Sequence, residues 1–170
     1  MKGQDALFSH KGDEWETPKW LFDKLNEEFH FDYDAAANEF NTKCGDNWIQ
    51  NALEDSWMKW GGKIFWLNPP YSQITAFLKK AYEESLKGAI VVCLIPSRTD
   101  TRYWHDYCMK TYEIRFIKGR LKFNNRTLPP YKEDGSHKVS SATFPSSVII
   151  FDKAKRADSL YPKLSVMEKI

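Results

Sequence analysis

A chain of 170 residues with 42% hydrophobic side chains and a net charge of +2 is long enough to bury one real core, and neither figure selects a partner. No apolar run approaches the ~20 residues of a membrane span. Three scattered cysteines, Cys44, Cys93 and Cys108, exclude a disulfide framework and a CxxC metal site. The expectation is a soluble intracellular domain with reduced thiols and no metal.

In chain order, residues 1–14 lack periodicity and read as a flexible leader to a single domain over 15–153. From Thr17 the spacing predicts a helix: Pro18 suits a first turn with Thr17 as its cap, and Trp20, Leu21, Leu25 and Phe29 fall on one face. "HFDYDAAA", residues 30–37, alternates and ends in small residues, as a short strand entering a tight loop does. An irregular Asn-, Asp- and Trp-rich stretch follows, up to Gly61-Gly62. "KIFWL" reads as a strand closed by Asn68-Pro69-Pro70-Tyr71. Residues 73–87 then form a helix that stops at Gly88. "AIVVCLIP" is the continuous apolar run of a strand covered on both faces. Residues 99–110 predict a helix with a Thr/Asp cap, "YEIRFI" and "GRLKF" two strands, 124–145 a polar loop, "SSVIIFD" a last strand, and 154–170 a partly ordered tail. Strands alternating with helices, the central ones most apolar, make an α/β fold with a largely parallel sheet and an antiparallel C-terminal part. Ligands of such sheets bind beyond the carboxyl ends of the strands, where "FDYDAAAN" and "WLNPPY" put their polar residues.

The charge is unevenly spread. Residues 1–60 hold six Lys against 13 Asp and Glu, so the remainder carries +9. Arg98, Arg102, Lys110, Arg115, Lys118, Arg120, Lys122 and Arg126 crowd one segment of it. Such density suits a polyanion, and equally a solvated surface balancing its acidic neighbour.

The Asn68-Pro69-Pro70-Tyr71 turn carries the most chemistry. Each proline fixes its own φ and pushes the preceding residue into extended backbone, so the turn is rigid before anything binds. Neither proline has an N–H, and the Asn68 side-chain oxygen lies close to the Pro69 carbonyl. Two fixed acceptors suit a planar –NH2 group and favour a pyramidal nitrogen whose lone pair is released for attack. Tyr71 adds an aromatic face for the ring that bears the amine. The plainer reading, a proline-rich stop to a strand, is weakened by the flanking Asn and Tyr.

"NPPY" resembles the catalytic tetrapeptide of amino-methyltransferases that use S-adenosylmethionine. "DEWETPKWLFDKLNEEFHFDYDAAANEFNTKC", "NALEDSW", "FWLNPPYSQITAFLKKA", "IPSRTDTRYWHD" and "IKGRLKF" are together similar to the phage-type DNA adenine-N6 methyltransferases. The likeness runs from about Asp13 to Asp152. It implies a compact Rossmann-like methyltransferase fold, DNA as substrate, and the cytoplasm of a bacterial or phage-infected cell, with monomer and homodimer both open. It implies that Trp15, Thr17 and Pro18 of "WETP" lie over the methionine part of the cofactor, that Asp34 faces its amine, that Ala35 lets the backbone approach, and that Asn51 meets its adenine. Here "AAAN" stands where larger relatives have glycines. Glu54 and Asp55 are weaker choices for a ribose contact. The target base, flipped onto Tyr71, is expected to meet Phe123 as a second aromatic, with Arg98, Arg102 and Arg120 on phosphates or in a groove. A core Phe123, salt bridges of Arg98, Arg102 and Arg120 to Asp100 and Asp106, and an Asp34 that caps the next turn are the competing plain readings. An RNA or protein-glutamine methyltransferase, and an inactive DNA-binding relative, are the alternative functions.

Overall fold

The computed structural model describes residues 15–39, 41–125, 139–156 and 160–168, and the leader expected over 1–14 lies outside them. Six strands form the main sheet in the order β2-β3-β4-β8-β5-β9: β2 Tyr33–Asp34, β3 Ile64–Leu67, β4 Ile90–Pro96, β5 Glu113–Ile117, β8 Ser146–Phe151 and β9 Lys163–Met167. β8 runs antiparallel to both its neighbours, while every other adjacent pair is parallel. A small sheet, β1 (Trp15–Glu16), β6 (Lys122–Asn125) and β7 (Val139–Ser141), is wholly antiparallel. The largely parallel α/β expectation therefore holds, and the sheet is flanked by helices as a Rossmann-like methyltransferase fold requires.

Period-2 alternation sorts the apolar strands onto two cores. Phe65, Leu67, Val91, Cys93, Ile95 and Ile149 face α2 (Ile74–Leu86), which buries Phe77, Leu78 and Ala81 against them. Trp66, Val92, Leu94, Val148 and Ile150 face the other way, onto Leu21, Phe22 and Leu25 of α1 (Lys19–Phe29). Leu21 and Leu25 are fully buried, each stabilising the fold by about 1.5–3 kcal/mol. Helix α1 stops because His30 turns into the left-handed region at φ 56° while Asn26 accepts the N–H of His30 on its carbonyl and that of Phe31 on its side chain.

Two details lock β2 against β3. Asp32 accepts the N–H groups of Lys63 and Ile64 on one carboxylate oxygen, at 2.8 and 2.9 Å. Gly62 leaves the Tyr33 ring the room it occupies, since a Cβ there would stand 2.7 Å from it. The strands are held in register Asp34↔Trp66, and this sets where both polar loops leave the sheet.

Several sequence expectations change. The 30–37 strand shortens to Tyr33–Asp34: the Ala35 N–H still reaches the Trp66 carbonyl at 2.8 Å, but the Ala36 N–H turns back to the Asp34 side chain and the chain leaves the sheet. The helix expected over 99–110 divides into α3 (Arg102–Asp106) and a 3-10 turn, Cys108–Lys110, with Tyr107 between them outside helical geometry. Thr101 does not cap α3 with its side chain; its hydroxyl turns back to the Arg98 carbonyl at 2.7 Å. The tail contains β9, paired with β5 over five residues, and a short helix α4 (Lys153–Arg156) precedes it. Helix α1 begins at Lys19, not at Pro18, and Thr17 does not cap it.

Candidate active site

The hydroxyl that Thr17 withholds from α1 accepts a hydrogen bond from the Asn68 side-chain nitrogen, at 3.1 Å. That bond crosses the rim of a cavity of about 450 Å³, within the range of small-molecule sites, at the carboxyl ends of β2 and β3. Strand geometry explains the meeting. Asp34 and Trp66 are register partners, so Asn68 stands two residues beyond Asp34 on the neighbouring strand, about 5 Å to the side and ~7 Å further along.

The walls suit a ligand with one flat apolar part and one charged part. Thr17, Asp34, Ala35, Asn51, Asn68, Pro69 and Pro70 all line the cavity, so the structure brings together four of the expected cofactor residues and three of the four turn residues, Tyr71 being the exception. Pro18 is buried directly beside Thr17. The Trp15 side chain lies outside the described residues. Ala35, Ala36 and Ala37 leave the ligand access to the backbone, and Ile49, Trp66 and Phe77 supply apolar wall. Asn51 holds a left-handed backbone, φ 54°, and its carbonyl accepts the N–H groups of Glu54 and Asp55. Glu54 reaches the cavity wall and Asp55 instead pairs with Lys59.

Asp34 is the electrostatic centre of this cavity. Its carboxylate is 4% exposed and accepts the backbone N–H groups of Ala36 and Lys43, at 3.3 and 3.0 Å. Burial outweighs those two donors and the nearby charge of Lys43, and pushes its pKa up to about 7. Sequence reading missed Lys43 and Glu16, both in the cavity wall and ion-paired at 2.5 Å. Glu16 stands inside "WETP" but was passed over there, and only the fold brings strand β1 to residue 43.

The turn itself is built as its sequence dictates. Pro70 is extended at φ −60°, ψ 134°, and Tyr71–Gln73 make one 3-10 turn that runs directly into α2. The Tyr71 ring meets Phe144 edge-on, with centroids 5.3 Å apart. Phe123, expected as the second aromatic for the base, is 0% exposed: its position on β6 turns the ring into the α1 core, where it has no face to offer. Phe144, half-buried between Phe123 and Tyr71, is the aromatic at the turn that the polar-loop reading of 124–145 concealed. Arg98, Arg102 and Arg120 are exposed; Arg102 lies 3.9 Å from Asp106 at 96% side-chain exposure, a contact worth little in water. Arg115, from the same basic run, is committed to Glu28 and Glu113. Among the described residues, no group of three or more His, Cys, Asp or Glu is placed to hold a metal ion, and no helix is long and apolar enough to cross a membrane.

A mostly parallel sheet with a buried acid ending one strand and a diproline turn ending the next, around a single cavity, has the layout of a methyltransferase. The sequence matches the DNA N-6-adenine-methyltransferase (Dam) family over residues 4–169. It is 28% identical over 145 residues to the DNA N-6-adenine-methyltransferase of Haemophilus phage HP1 (strain HP1c1), covering 82% of this chain and 79% of the relative. It is 34% identical over 112 residues to that of Escherichia phage T1, covering 64% of this chain and 46% of the relative. The chain belongs to the DNA N-6-adenine-methyltransferase family, and its reaction is methylation of the N6 amine of adenine in DNA. That reaction needs a methyl donor and DNA.

Proposed function

We propose that the cavity takes S-adenosylmethionine as that donor and that the 68–71 turn holds the adenine amine after the base has left the duplex. The observation that carries this is the Asn68–Thr17 hydrogen bond at the rim of the cavity that also contains Asp34. With its nitrogen committed to Thr17, the Asn68 carboxamide has Oδ1 as its acceptor on the opposite side. Thr17 thus sets which edge of Asn68 an incoming amine meets.

The residues fit the donor in shape and charge. Asp34 offers a desolvated carboxylate to the methionine ammonium, the three alanines admit the ligand to the backbone, and Asn51 stands where an adenine would lie. Bound there, S-adenosylmethionine supplies an electrophilic sulfonium methyl. Asn68 Oδ1 and the Pro69 carbonyl accept the two N6 hydrogens, which orients the nitrogen lone pair. Tyr71 stacks on the purine, with Phe144 bracing its ring edge-on. Nothing in this arrangement must act as a strong base, because the nitrogen becomes acidic once alkylated; catalysis is positioning and charge complementarity. An adenine stacked in a duplex cannot reach such a turn, so flipping costs a few kcal/mol. Exposed Arg98, Arg102 and Arg120 supply phosphate contacts toward it.

The test is Asn68→Ala assayed two ways. Methyl transfer to unmethylated duplex DNA should fall by ~100-fold or more, while calorimetric affinity for S-adenosylhomocysteine stays near that of the unmodified chain. A parallel collapse of cofactor affinity would remove the role given to Asn68. Label from the cofactor appearing on RNA or protein but not on DNA adenine would contradict the substrate.

A further inference from the structure

Helix α2 touches two cavities. Gln73, just ahead of its first turn, lines the cavity beside the 68–71 turn; Leu86, at its other end, lines a second of about 330 Å³ that shares no wall residue with the first. The 13 residues of α2 set the two about 20 Å apart. Tyr82 of α2, Lys110 of the 3-10 turn, Tyr112 just before β5, Asp152 just after β8, and Lys153 and Arg156 of α4 converge on this second cavity.

Its charge is one-sided. Asp152 is the single acid in the wall, and Lys155 already engages it, with its backbone N–H at 3.2 Å and its ammonium at 3.8 Å. The three cations of the wall are held by neutral groups instead. Lys110 stands over the Tyr82 ring, 5.7 Å from its centroid, and Lys153 reaches the Leu86 carbonyl at 3.5 Å. Arg156 donates to the carbonyls of Met109, Thr111 and Leu160 at 3.1, 2.7 and 3.3 Å. Those bonds take three of its five guanidinium N–H groups and leave the one on Nε and one on Nη2. Rings and carbonyls position a cation without cancelling its charge. Among the described residues, none of these three cations is ion-paired to a carboxylate.

We propose that this second cavity is a phosphate-binding site, held by Lys110, Lys153 and Arg156. A phosphate group brings the one or two negative charges that three cations lack, and its oxygens accept from groups that can only donate. Donors arriving from the 3-10 turn and from both ends of α4 suit a tetrahedral anion, which presents oxygens in several directions, better than a planar carboxylate. The phosphate belongs either to a DNA backbone or to a small soluble phosphate, and the chemistry of recognition is the same for both. Lys110, from the basic run of the sequence, thus serves the opposite end of α2 from the 68–71 turn.

The probe is inorganic phosphate, titrated at constant ionic strength into the full chain while backbone amide shifts are followed by NMR. Saturable shifts are expected at residues 110–112 and 152–156, and they should persist with S-adenosylhomocysteine present. Lys110→Gln combined with Lys153→Gln should weaken phosphate by about tenfold or more, the scale of charged hydrogen bonds. Lys110→Arg combined with Lys153→Arg should retain it. Tm should change little in either pair, because the two ammoniums hold only a ring and a long carbonyl contact in the fold. Shifts that fail to saturate, that centre elsewhere, or that survive the double Gln substitution unchanged overturn the site. Anisotropy with a labelled, unmethylated duplex then separates the sources. A DNA phosphate predicts that the Gln pair lowers the slope of log affinity against log salt by about two. A small soluble phosphate predicts an unchanged slope alongside the lost phosphate binding.

Discussion

Two buried carboxylates in different regions of this protein are treated in opposite ways. Glu84, on α2, is 0% exposed and saturated: Lys80 and Lys87 reach it at 2.9 and 2.8 Å, and the Trp57 N–H and Ser56 hydroxyl complete its shell. Burial acts against its charge, but the two lysines prevail and its pKa lies below the usual carboxylate value. Asp34 is nearly as buried, yet its donors are two backbone amides and its pKa rises to about 7. Glu84 ties the Trp57–Trp60 turn to α2 and asks for nothing more. Asp34 faces the cavity with backbone amides as its hydrogen-bond donors, which is the property on which the ammonium contact proposed for it rests.

Substitution should separate the two. Glu84→Ala strands Lys80 and the Trp57 N–H; a stability loss of about 3–5 kcal/mol is expected by denaturant titration, with little change in cofactor affinity of the folded fraction. Asp34→Asn should do the reverse, weakening S-adenosylhomocysteine by about 100-fold in calorimetry while the chain stays folded.

The pH dependence sharpens the contrast. Asp34 must ionise to pair with an ammonium, so cofactor affinity should fall by up to about tenfold per pH unit below pH 7, level off above it, and lose this dependence in Asp34→Asn. Stability moves the other way. A carboxyl that keeps its proton to about pH 7 when folded, against 3.8 ordinarily, binds more protons folded than unfolded, so its contribution is greatest at acid pH and drains away between about pH 4 and 7. Thermal melts at pH 5 and pH 8 should differ more for the unmodified chain than for Asp34→Asn. The smallest effect is expected from Arg102→Ala: a weaker, less salt-dependent affinity for DNA, with Tm unchanged because the contact to Asp106 is long and solvent-exposed.

Much of this was legible in the residues, for identifiable reasons. The strand over Ile90–Pro96, the helix over Ile74–Leu86 and the turn at Asn68 are written in local rules: a continuous apolar run, 3.6-residue spacing, and the rigidity of proline. The alternation before Asp34 and the small residues after it mark a strand's end, and the resemblance to a family, not local pattern, singled out its carboxylate. Local rules failed where long-range contact decides. Thr17 looks like a cap, and its hydroxyl goes to Asn68, 51 positions away. Phe123 and Phe144 are chemically alike, and only the pairing of β6 with β1 and β7 decides which ring is buried. Glu16 and Lys43 are separated by α1 and β2, so their juxtaposition has no signature in sequence.

The pairing of β6 with β7 has a last consequence. Phe123 lies opposite Ser140, so the register that puts the Phe123 ring in the core also fixes the strand that leads, three residues after Ser141, to Phe144 beside Tyr71. A slip of one residue would turn Phe123 to the other face and carry Phe144 away from the turn with it, so one pair of short strands governs both rings.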